Sequence, residues 1–318
     1  MDVTSVRGAA RVLYNSPMLM AVGPGGRIAA HAAIREKAHH CPACGSAVLL
    51  KRRTRVVPHF AHARAAACSW AHGETLTHLA AKASIARAFA DRGLDVALEV
   101  ELLSSGGDRR ADVLVHNPRT DARVAIEIQH SALPLEAIER RTRAYAAAGV
   151  PVIWIATLDW KRTAWRALAD GARIIDRFAA APWQRFAGAY HGALWFWADG
   201  QLWRGWLQDA WVARGTEETG WSRSTRWSSL TLEGPFAPTT VRIAARAARI
   251  EPHEEFALPA GFSANLVAPG SRAGAGPPTT TEWHNRAGAF EPRIVHVVVT
   301  PPPPPPRFRQ RLADRLAA

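Results

Sequence analysis

Two apolar segments interrupted by acidic residues lie within residues 109–129, which read RRADVLVHNPRTDARVAIEIQ. Their alternation predicts two strands joined by a turn, and Glu127 and Gln129 then face the same side of the second strand. If the strands pair as a hairpin, Asp112 of the first lies beside Glu127. Neighbouring carboxylates repel each other, and a divalent cation relieves that repulsion. The sequence therefore predicts that Asp112 and Glu127 bind a divalent catalytic ion and that Gln129 aligns an attacking water.

The segments on either side of this strand pair complete one compact α/β unit. Apolar residues at helical spacing predict one helix before the pair and one after it, and further apolar runs predict two more strands. The order is helix, three strands, helix, strand, over residues 74–92, 94–103, 110–116, 123–129, 134–149 and 150–156. Such an order predicts a sheet with helices packed against it.

The first predicted helix adds three polar residues to the candidate site. Glu74, His78 and Lys82 follow one another at intervals of four, so they share one face of the helix. Glu74 is expected to assist the two strand carboxylates. Gln129 carries no charge, so Lys82 or a second metal ion would have to supply the positive charge, and Lys82 is also a candidate contact to nucleic acid. For any one of these residues alone, a solvated surface position is the ordinary alternative.

Cysteine and histidine residues form a second cluster, with the spacing C-x2-C-x14-H-x2-H-x5-C from Cys41 to Cys68. An odd number of cysteines within one short segment argues against a disulfide framework and favours metal binding. A tetrahedral zinc site needs four ligands, and Cys41, Cys44 and Cys68 supply three. His62 is the preferred fourth ligand because its short run to Cys68 makes a compact second knuckle, while His59 and His72 remain open. Four protein ligands indicate a structural Zn²⁺ rather than a catalytic one.

The charge of the chain narrows the class of partner. There are 40 Lys and Arg residues against 27 acidic residues, a formal net charge of +13. That balance suits nucleic acid first and an anionic membrane second, although a generally basic proteome would give it too. Candidate phosphate contacts, each of which could equally be a solvated surface residue, are Lys51, Arg52, Arg53, Lys82, Arg140 and Arg141. No apolar run is long enough to span a membrane and no signal peptide is recognisable, so we expect a cytoplasmic protein without membrane contact.

Changes of composition divide the chain into four parts. Residues 1–70 hold the zinc-binding module and residues 71–165 the α/β unit. Residues 166–260 are rich in tryptophan and predict a β-rich domain, with a hairpin turn at Asp199-Gly200. Its indole rings form core or stack on bases of single-stranded DNA. Residues 261–318 include six consecutive prolines and are expected to be a disordered linker and basic tail.

A family resemblance follows from the motifs taken in order. CPACG, PHFAH, a cysteine, GETLTHLAAK, ADV, IEIQHS and IERRTRAYAAAGVPVIWI together resemble the competence protein CoiA family over about residues 25–160. The resemblance implies a zinc-finger-like segment followed by a nuclease-like domain of the restriction-endonuclease-like, PD-(D/E)xK fold. It gives the active-site roles of that fold to Glu74, Asp112, Glu127 and Gln129. The pair of Glu127 and Gln129 is an E-x-Q variant of the commoner E-x-K.

The function that this resemblance implies is cleavage or processing of DNA during uptake and recombination. We therefore expect a Mg²⁺- or Mn²⁺-dependent nuclease acting on DNA, with recombination proteins as further partners. The alternative is a zinc-stabilised DNA-binding accessory protein whose nuclease core is catalytically degenerate. A third hypothesis is an adaptor that binds partner domains through its proline run.

Overall fold

The computed structural model describes residues 17–54, 56–64, 68, 70, 74–102, 109–168, 171–215, 222–248 and 261–269. The expectations for the proline run, the basic tail and His72 fall outside these residues. The described residues form a five-stranded sheet, a nine-stranded sheet and a two-stranded hairpin. Three α-helices and a 3₁₀ helix at Trp160–Arg162 lie among their strands.

The N-terminal sheet has the strand order β2-β1-β3-β4-β5. Its first hairpin turns between Gly23 and Gly26, and Gly26 has a φ of +100°, which a glycine adopts without strain. Phe60 and Met18 are fully buried between this sheet and the segments that follow it. The strands are β1 (Met20–Gly23), β2 (Gly26–Ala29), β3 (His39–His40), β4 (Ala47–Arg53) and β5 (Val56–His62).

The next elements follow the order expected from the sequence. The first helix begins at Leu76 instead of Glu74, because Thr75 caps it by accepting a hydrogen bond from the backbone N–H of His78. These elements are α1 (Leu76–Ala90), β6 (Asp95–Leu102), β7 (Arg109–Asn117), β8 (Ala122–Gln129), α2 (Leu135–Ala147) and β9 (Val152–Thr157). β6, β7 and β8 are antiparallel neighbours, and β8 pairs in parallel with β9. This arrangement is the α/β, restriction-endonuclease-like core that the sequence predicts.

Two neighbouring irregularities open the sheet in its middle. The register between β6 and β7 pairs Leu98 with Val113 and Val100 with Ala111, but omits Glu99 and Asp112. Glu99 has a φ of +53°, which is rare for a residue other than glycine. On the other side, the β7–β8 ladder ends where Val113 pairs with Ile126. The strands therefore separate around Glu99 and Asp112.

Helices cover both faces of the sheet. α1 packs on the face formed by Val113, Ile126, Ile128 and their neighbours, whereas α2 packs through Tyr145 on the opposite face. Because side chains alternate along a strand, Glu127 projects to the α2 face, as the burial of Ile128 on the other face requires. Elsewhere on the sheet both faces are apolar. Polar side chains at the point where the strands separate are therefore surrounded by hydrophobic core.

The tryptophan-rich strands continue the same sheet. β12 pairs in parallel with β9, which gives the order β10-β11-β14-β13-β12-β9-β8-β7-β6. The domain boundary expected at residue 165 therefore falls within one continuous sheet. All five residues of β12 are buried, so this strand needs a neighbouring strand on each side. The elements are β10 (Arg166–Ala167), β11 (Arg173–Phe178), α3 (Pro182–His191), β12 (Leu194–Ala198), β13 (Gln201–Gly215) and β14 (Ser222–Phe236).

Most of the tryptophans whose side chains are described belong to the core. Trp183, Trp195, Trp197 and Trp203 are buried, as the core interpretation predicts. The hairpin expected at Asp199-Gly200 joins β12 to β13, and both turn residues have positive φ. The last hairpin comprises β15 (Arg242–Ala248) and β16 (Gly261–Val267). The disordered linker expected from residue 261 therefore does not begin there, because Ala264 and Leu266 of β16 are buried in the core. Within the described part of the chain, no helix is long and apolar enough to cross a membrane.

Candidate active site and metal centre

The expected zinc ligands converge at the edge of the N-terminal sheet. The ligand atoms of Cys41, Cys44, His62 and Cys68 all lie within 4.8 Å of one another. The Sγ atoms of Cys41 and Cys68 are 3.6 Å apart, and Cys44 Sγ lies 3.3 Å from His62 Nε2. His59 is turned away, with its Nδ1 atom 2.9 Å from the carbonyl oxygen of Val57. We call these four ligands the Cys/His cluster.

The thiols of this cluster suit a metal cation. Burial raises the pKa of Cys41 to about 11, so without a cation that thiol stays protonated at neutral pH. A hydrogen bond with Ser46 lowers the pKa of Cys44 to about 6. Gly45, with a φ of +70°, makes the tight turn that lets Cys41 and Cys44 approach the same point. Three sulfurs and one imidazole are a donor set that Zn²⁺ accepts in tetrahedral geometry.

A second group of ligands lies between α1 and the separated strands. Atoms of Glu74, His78 and Asp112 lie within 4.8 Å of one another. His78 Nε2 is 3.1 Å from Asp112 Oδ2, and His78 Nδ1 is 3.8 Å from Glu74 Oε2. Asp112 Oδ2 also accepts a hydrogen bond of 2.9 Å from the backbone N–H of Ile128. The carboxylate thus fills the gap that opens where the β7–β8 ladder ends.

In this group, burial disfavours the charged form of each side chain, whereas neighbouring opposite charges favour it. Burial opposes ionisation of Asp112, but the nearby Lys82 ammonium and the hydrogen bond with His78 hold the pKa of Asp112 well below its usual range. Burial also opposes the charged form of His78, yet Asp112 raises the pKa of the imidazole. Burial raises the pKa of Glu74. Of the two carboxylates in this group, Asp112 is therefore the more firmly ionised.

Two buried atoms of this group lack hydrogen-bond partners among the described residues. They are Oε2 of Glu74 and Nδ1 of His78. A buried polar atom without a partner costs free energy, so such atoms commonly mark a site for an ion or water. Two carboxylates suit Mg²⁺ or Mn²⁺, and the imidazole nitrogen adds a donor that a transition-metal ion such as Mn²⁺ accepts more readily than Mg²⁺ does. The residues present therefore fit the divalent ion that the sequence predicts.

Lys82 corrects one expectation from the sequence. Its side chain is completely buried, and its Nζ atom lies 2.8 Å from Glu74 Oε1, 2.9 Å from Glu99 Oε1 and 3.6 Å from Asp112 Oδ1. A fully buried ammonium cannot contact a nucleic-acid backbone, so Lys82 is not a surface phosphate contact. It supplies positive charge inside the site. We call Glu74, His78, Lys82, Glu99 and Asp112 the acidic cluster.

Glu127 lies beside this cluster but is held by the opposite helix. Tyr145 Oη donates a hydrogen bond to Glu127 Oε1, and Arg141 Nη2 lies 3.8 Å from Oε2. Glu127 is not in the group of Glu74, His78 and Asp112 whose ligand atoms lie within 4.8 Å of one another. The strands separate at this level, which directs Asp112 to α1 and Glu127 to α2. Burial and the charge of Asp112 raise the pKa of Glu127 to about 7.

The other predicted residues lie around this centre. Gln129 ends β8, and its Nε2 atom donates to the carbonyl and hydroxyl oxygens of Ser131. Arg140 is exposed on α2, whereas Arg141 is partly buried against Glu127. Lys51 and Arg53 are exposed on β4. Arg52 donates to the carbonyl oxygens of His31 and Ala33, so its guanidinium holds a loop of the N-terminal sheet.

An arginine and a tryptophan link the two clusters. Trp70 lies two residues beyond the ligand Cys68 and is buried. The guanidinium of Arg110 stacks over the Trp70 ring at 4.3 Å from its centroid, and Arg110 Nη2 lies 3.3 Å from Glu74 Oε1. A stacked guanidinium keeps its charge available in the plane of the fork. Arg110 therefore links Trp70, in the segment that follows the Cys/His cluster, to Glu74 of the acidic cluster.

Comparisons with known proteins match both regions. A family model described as competence protein CoiA, N-terminal domain, matches residues 27–71, and one described as competence protein CoiA, nuclease-like domain, matches residues 74–169. This part of the chain belongs to the competence protein CoiA family. The CoiA N-terminal domain contains the whole Cys/His cluster, and the CoiA nuclease-like domain contains the whole acidic cluster. No curated protein and no solved structure gives a significant match to the chain.

Two members of the acidic cluster are absent from the set predicted from sequence. His78 lies four residues after Glu74 in the sequence, so its spacing gave a signal, but the prediction did not assign it as a ligand. Glu99 gave the opposite signal, because it alternates with the apolar residues Leu98 and Val100 of β6 as a solvated residue would. Its positive φ turns the side chain inward instead.

Proposed function

We propose that this chain is a Mg²⁺- or Mn²⁺-dependent DNA nuclease whose divalent ion is held by Glu74, His78 and Asp112. The observation that carries the proposal is the convergence of these three buried side chains at the gap between β7 and β8. When bound, such an ion neutralises charge on a scissile phosphate and lowers the pKa of an attacking water. A Zn²⁺ ion in the Cys/His cluster would stabilise the N-terminal sheet and take no part in hydrolysis.

The residues around the ion have separate tasks in this proposal. Lys82 supplies the positive charge that Gln129 cannot, from the helix instead of the strand. Glu127, with a pKa raised to about 7, exchanges a proton at its carboxylate oxygens near neutral pH. Tyr145 and Arg141 orient that carboxylate. Gln129 lies on the same face at the end of β8, where its side-chain carbonyl aligns the attacking water.

Binding of DNA would use exposed cations on both sides of the site. Lys51 and Arg53 on β4 and Arg140 on α2 are exposed, and the chain carries a net charge of +13. Contacts from lysine and arginine to phosphates position a nucleic acid without reading its sequence. We therefore expect binding that weakens strongly with salt.

The proposal is tested with purified full-length protein and labelled single- and double-stranded DNA. Cleavage should require Mg²⁺ or Mn²⁺ and stop when the metal is chelated. Asp112→Asn should abolish cleavage while DNA binding persists, and Asp95→Asn, at an exposed position of β6, is the matched control. Metal-independent cleavage, or an active Asp112→Asn variant, would refute the assignment.

One observation favours a second candidate, a DNA-binding accessory protein with a degenerate nuclease core. The ammonium of Lys82 already neutralises the carboxylates of the acidic cluster, as a metal ion would. In that case the wild-type protein binds DNA but cleaves neither form of it at any divalent ion concentration. The same assay therefore separates the two candidates.

A further inference from the structure

Lys82 raises a question of charge in the proposed metal site. Its Nζ atom lies 2.8 Å from Glu74 Oε1 and 3.6 Å from Asp112 Oδ1, and both carboxylates belong to the proposed ligand group. An ammonium and a divalent cation at such distances repel each other strongly, most of all in a buried site. Nζ also lies 2.9 Å from Glu99 Oε1, and an amine among three carboxylates is held in its charged form. The ammonium and the divalent cation each need carboxylate partners, so the carboxylates of the acidic cluster must be shared between them.

Glu99 is the carboxylate of the acidic cluster that is not among the proposed metal ligands. It is fully buried and does not belong to the group of ligands within 4.8 Å. Oε1 lies 2.9 Å from Lys82 Nζ and accepts from the backbone N–H of Leu19 at 3.3 Å, and Oε2 accepts from the N–H of Met20 at 3.3 Å. Both oxygens are therefore fixed by the N-terminal sheet and by Lys82.

The backbone of Glu99 is fixed as firmly as its side chain. Its φ of +53° costs free energy for a residue with a Cβ atom, and such conformations persist where the surroundings determine them. Arg27 Nη2 donates to the carbonyl oxygens of Glu99 at 2.9 Å and Leu98 at 3.3 Å. The unusual φ and these bonds hold a carboxylate at one point beside Lys82, where a regular strand would direct it to solvent.

We propose that Glu99 is a positioning residue that retains the Lys82 ammonium when a divalent cation binds to Glu74 and Asp112. Glu99 thereby keeps Lys82 from competing with the cation and keeps the positive charge of Lys82 inside the acidic cluster. Because the N–H groups of Leu19 and Met20 hold Glu99, the N-terminal sheet contributes to the site as well. This inference rests on the proposed function, because it assumes that a divalent cation binds to the acidic cluster.

The test measures binding of Mn²⁺ by electron paramagnetic resonance, with zinc-loaded full-length protein and no DNA. Glu99→Gln removes the anchor, so Lys82 competes for Glu74 and Asp112, and the Kd for Mn²⁺ should rise at least about tenfold. The double variant with Lys82→Met removes both charges and should return the Kd to within about threefold of wild type. Glu101→Gln, at an exposed position of the same strand, is the matched control and should bind as wild type does.

A second comparison covers the case in which Glu99→Gln alone does not fold. In the Lys82→Met background Glu99 has no ammonium to hold, so adding Glu99→Gln should change the Kd for Mn²⁺ by less than about threefold. A Glu99→Gln variant that binds Mn²⁺ as wild type does, or a double variant that stays as weak as Glu99→Gln, overturns the inference and leaves the proposed function intact. A wild-type protein that binds no Mn²⁺ at this cluster overturns both.

Discussion

The Cys/His cluster and the acidic cluster both gather buried ligands, but they differ in the charges that accompany them. The Cys/His cluster has the four protein ligands that a tetrahedral Zn²⁺ site needs, and none of them is a carboxylate. The acidic cluster has three ligands, and its carboxylates already contact Lys82 and Arg110. A closed shell of protein ligands suits a structural ion, whereas an open shell leaves room for a substrate.

This difference predicts how each region responds when its ion is removed. Without a cation, the four ligands of the Cys/His cluster lose their common partner. The acidic cluster keeps its ion pairs, since Lys82 neutralises Glu74, Glu99 and Asp112. We therefore expect removal of zinc to act on folding, and removal of the divalent ion to act on cleavage with little effect on folding.

The largest expected effect is that of Cys41→Ser on the N-terminal sheet. Structural zinc sites contribute about 10–16 kcal/mol in isolated zinc-finger peptides, as much as the entire stability of a domain. The variant should lose its zinc and unfold its N-terminal sheet, which zinc analysis and thermal unfolding measure. His59→Asn, at the histidine turned away from the cluster, should retain both zinc and stability. A Cys41→Ser protein that keeps one zinc per chain would remove the distinction between the two clusters.

The second effect concerns His78, the ligand that the structure adds to the acidic site. His78→Asn removes an imidazole that contacts both Glu74 and Asp112, so cleavage should fall at least about 10²-fold with the fold retained. His116→Asn is the control, because His116 contacts two carboxylates on the surface instead. Equal activity of the two variants would mean that His78 only packs the helix against the sheet.

These two clusters also show what the sequence can predict. Local sequence patterns predicted the order of elements around Asp112, the hairpin at Asp199-Gly200 and the cluster formed by the ligands between Cys41 and Cys68. Each depends on residues close in the chain, whose periodicity or turn chemistry fixes the geometry. His62, the preferred histidine, lies in the Cys/His cluster, whereas His59 on the same strand is turned to the carbonyl oxygen of Val57.

Long-range contacts explain what the sequence does not predict. The parallel pairing of β12 with β9 joins segments about forty residues apart and makes one sheet of two expected domains. Glu99 and Glu101 both alternate with apolar residues, yet only Glu101 is exposed. Nothing local distinguishes them, because the positive φ of Glu99 is held by Arg27 and Lys82 from other elements. From its sequence position Lys82 likewise resembles a surface lysine, and only the fold brings three carboxylates around it.

The third effect concerns the pH dependence of stability near Glu127. Its pKa is raised from 4.5 to about 7, so the folded state favours the protonated carboxyl. This contribution to stability is full below about pH 4.5 and is lost as pH rises through about 7. In buffer with zinc but without Mg²⁺ or Mn²⁺, the stability of wild type relative to Glu127→Gln should fall between pH 5 and 8, by on the order of 1–3 kcal/mol. Denaturant unfolding at several pH values measures this difference.

Glu127→Gln suits this measurement because Gln still accepts the hydrogen bond from Tyr145 but cannot titrate. Asp112 is present in both proteins, so its own pH dependence, which lies at low pH, cancels in the difference. A difference that stays constant from pH 5 to 8 would show that Glu127 is ionised throughout. Glu127 would then be a permanent negative charge like Asp112 and could not exchange a proton near neutral pH.

The smallest expected effect tests whether the two clusters are joined. Arg110 stacks on Trp70 beside the Cys/His cluster and contacts Glu74 in the acidic cluster, and its side chain is one-quarter exposed. A stacked cation and a partly exposed ion pair are each worth about 1 kcal/mol, so Arg110→Gln should slow cleavage by about three- to tenfold with zinc retained. Arg123→Gln, at an exposed position of β8, is the control. An Arg110→Gln enzyme as fast as wild type would mean that the Cys/His cluster stabilises the fold without orienting Glu74, and the two sites would then be independent.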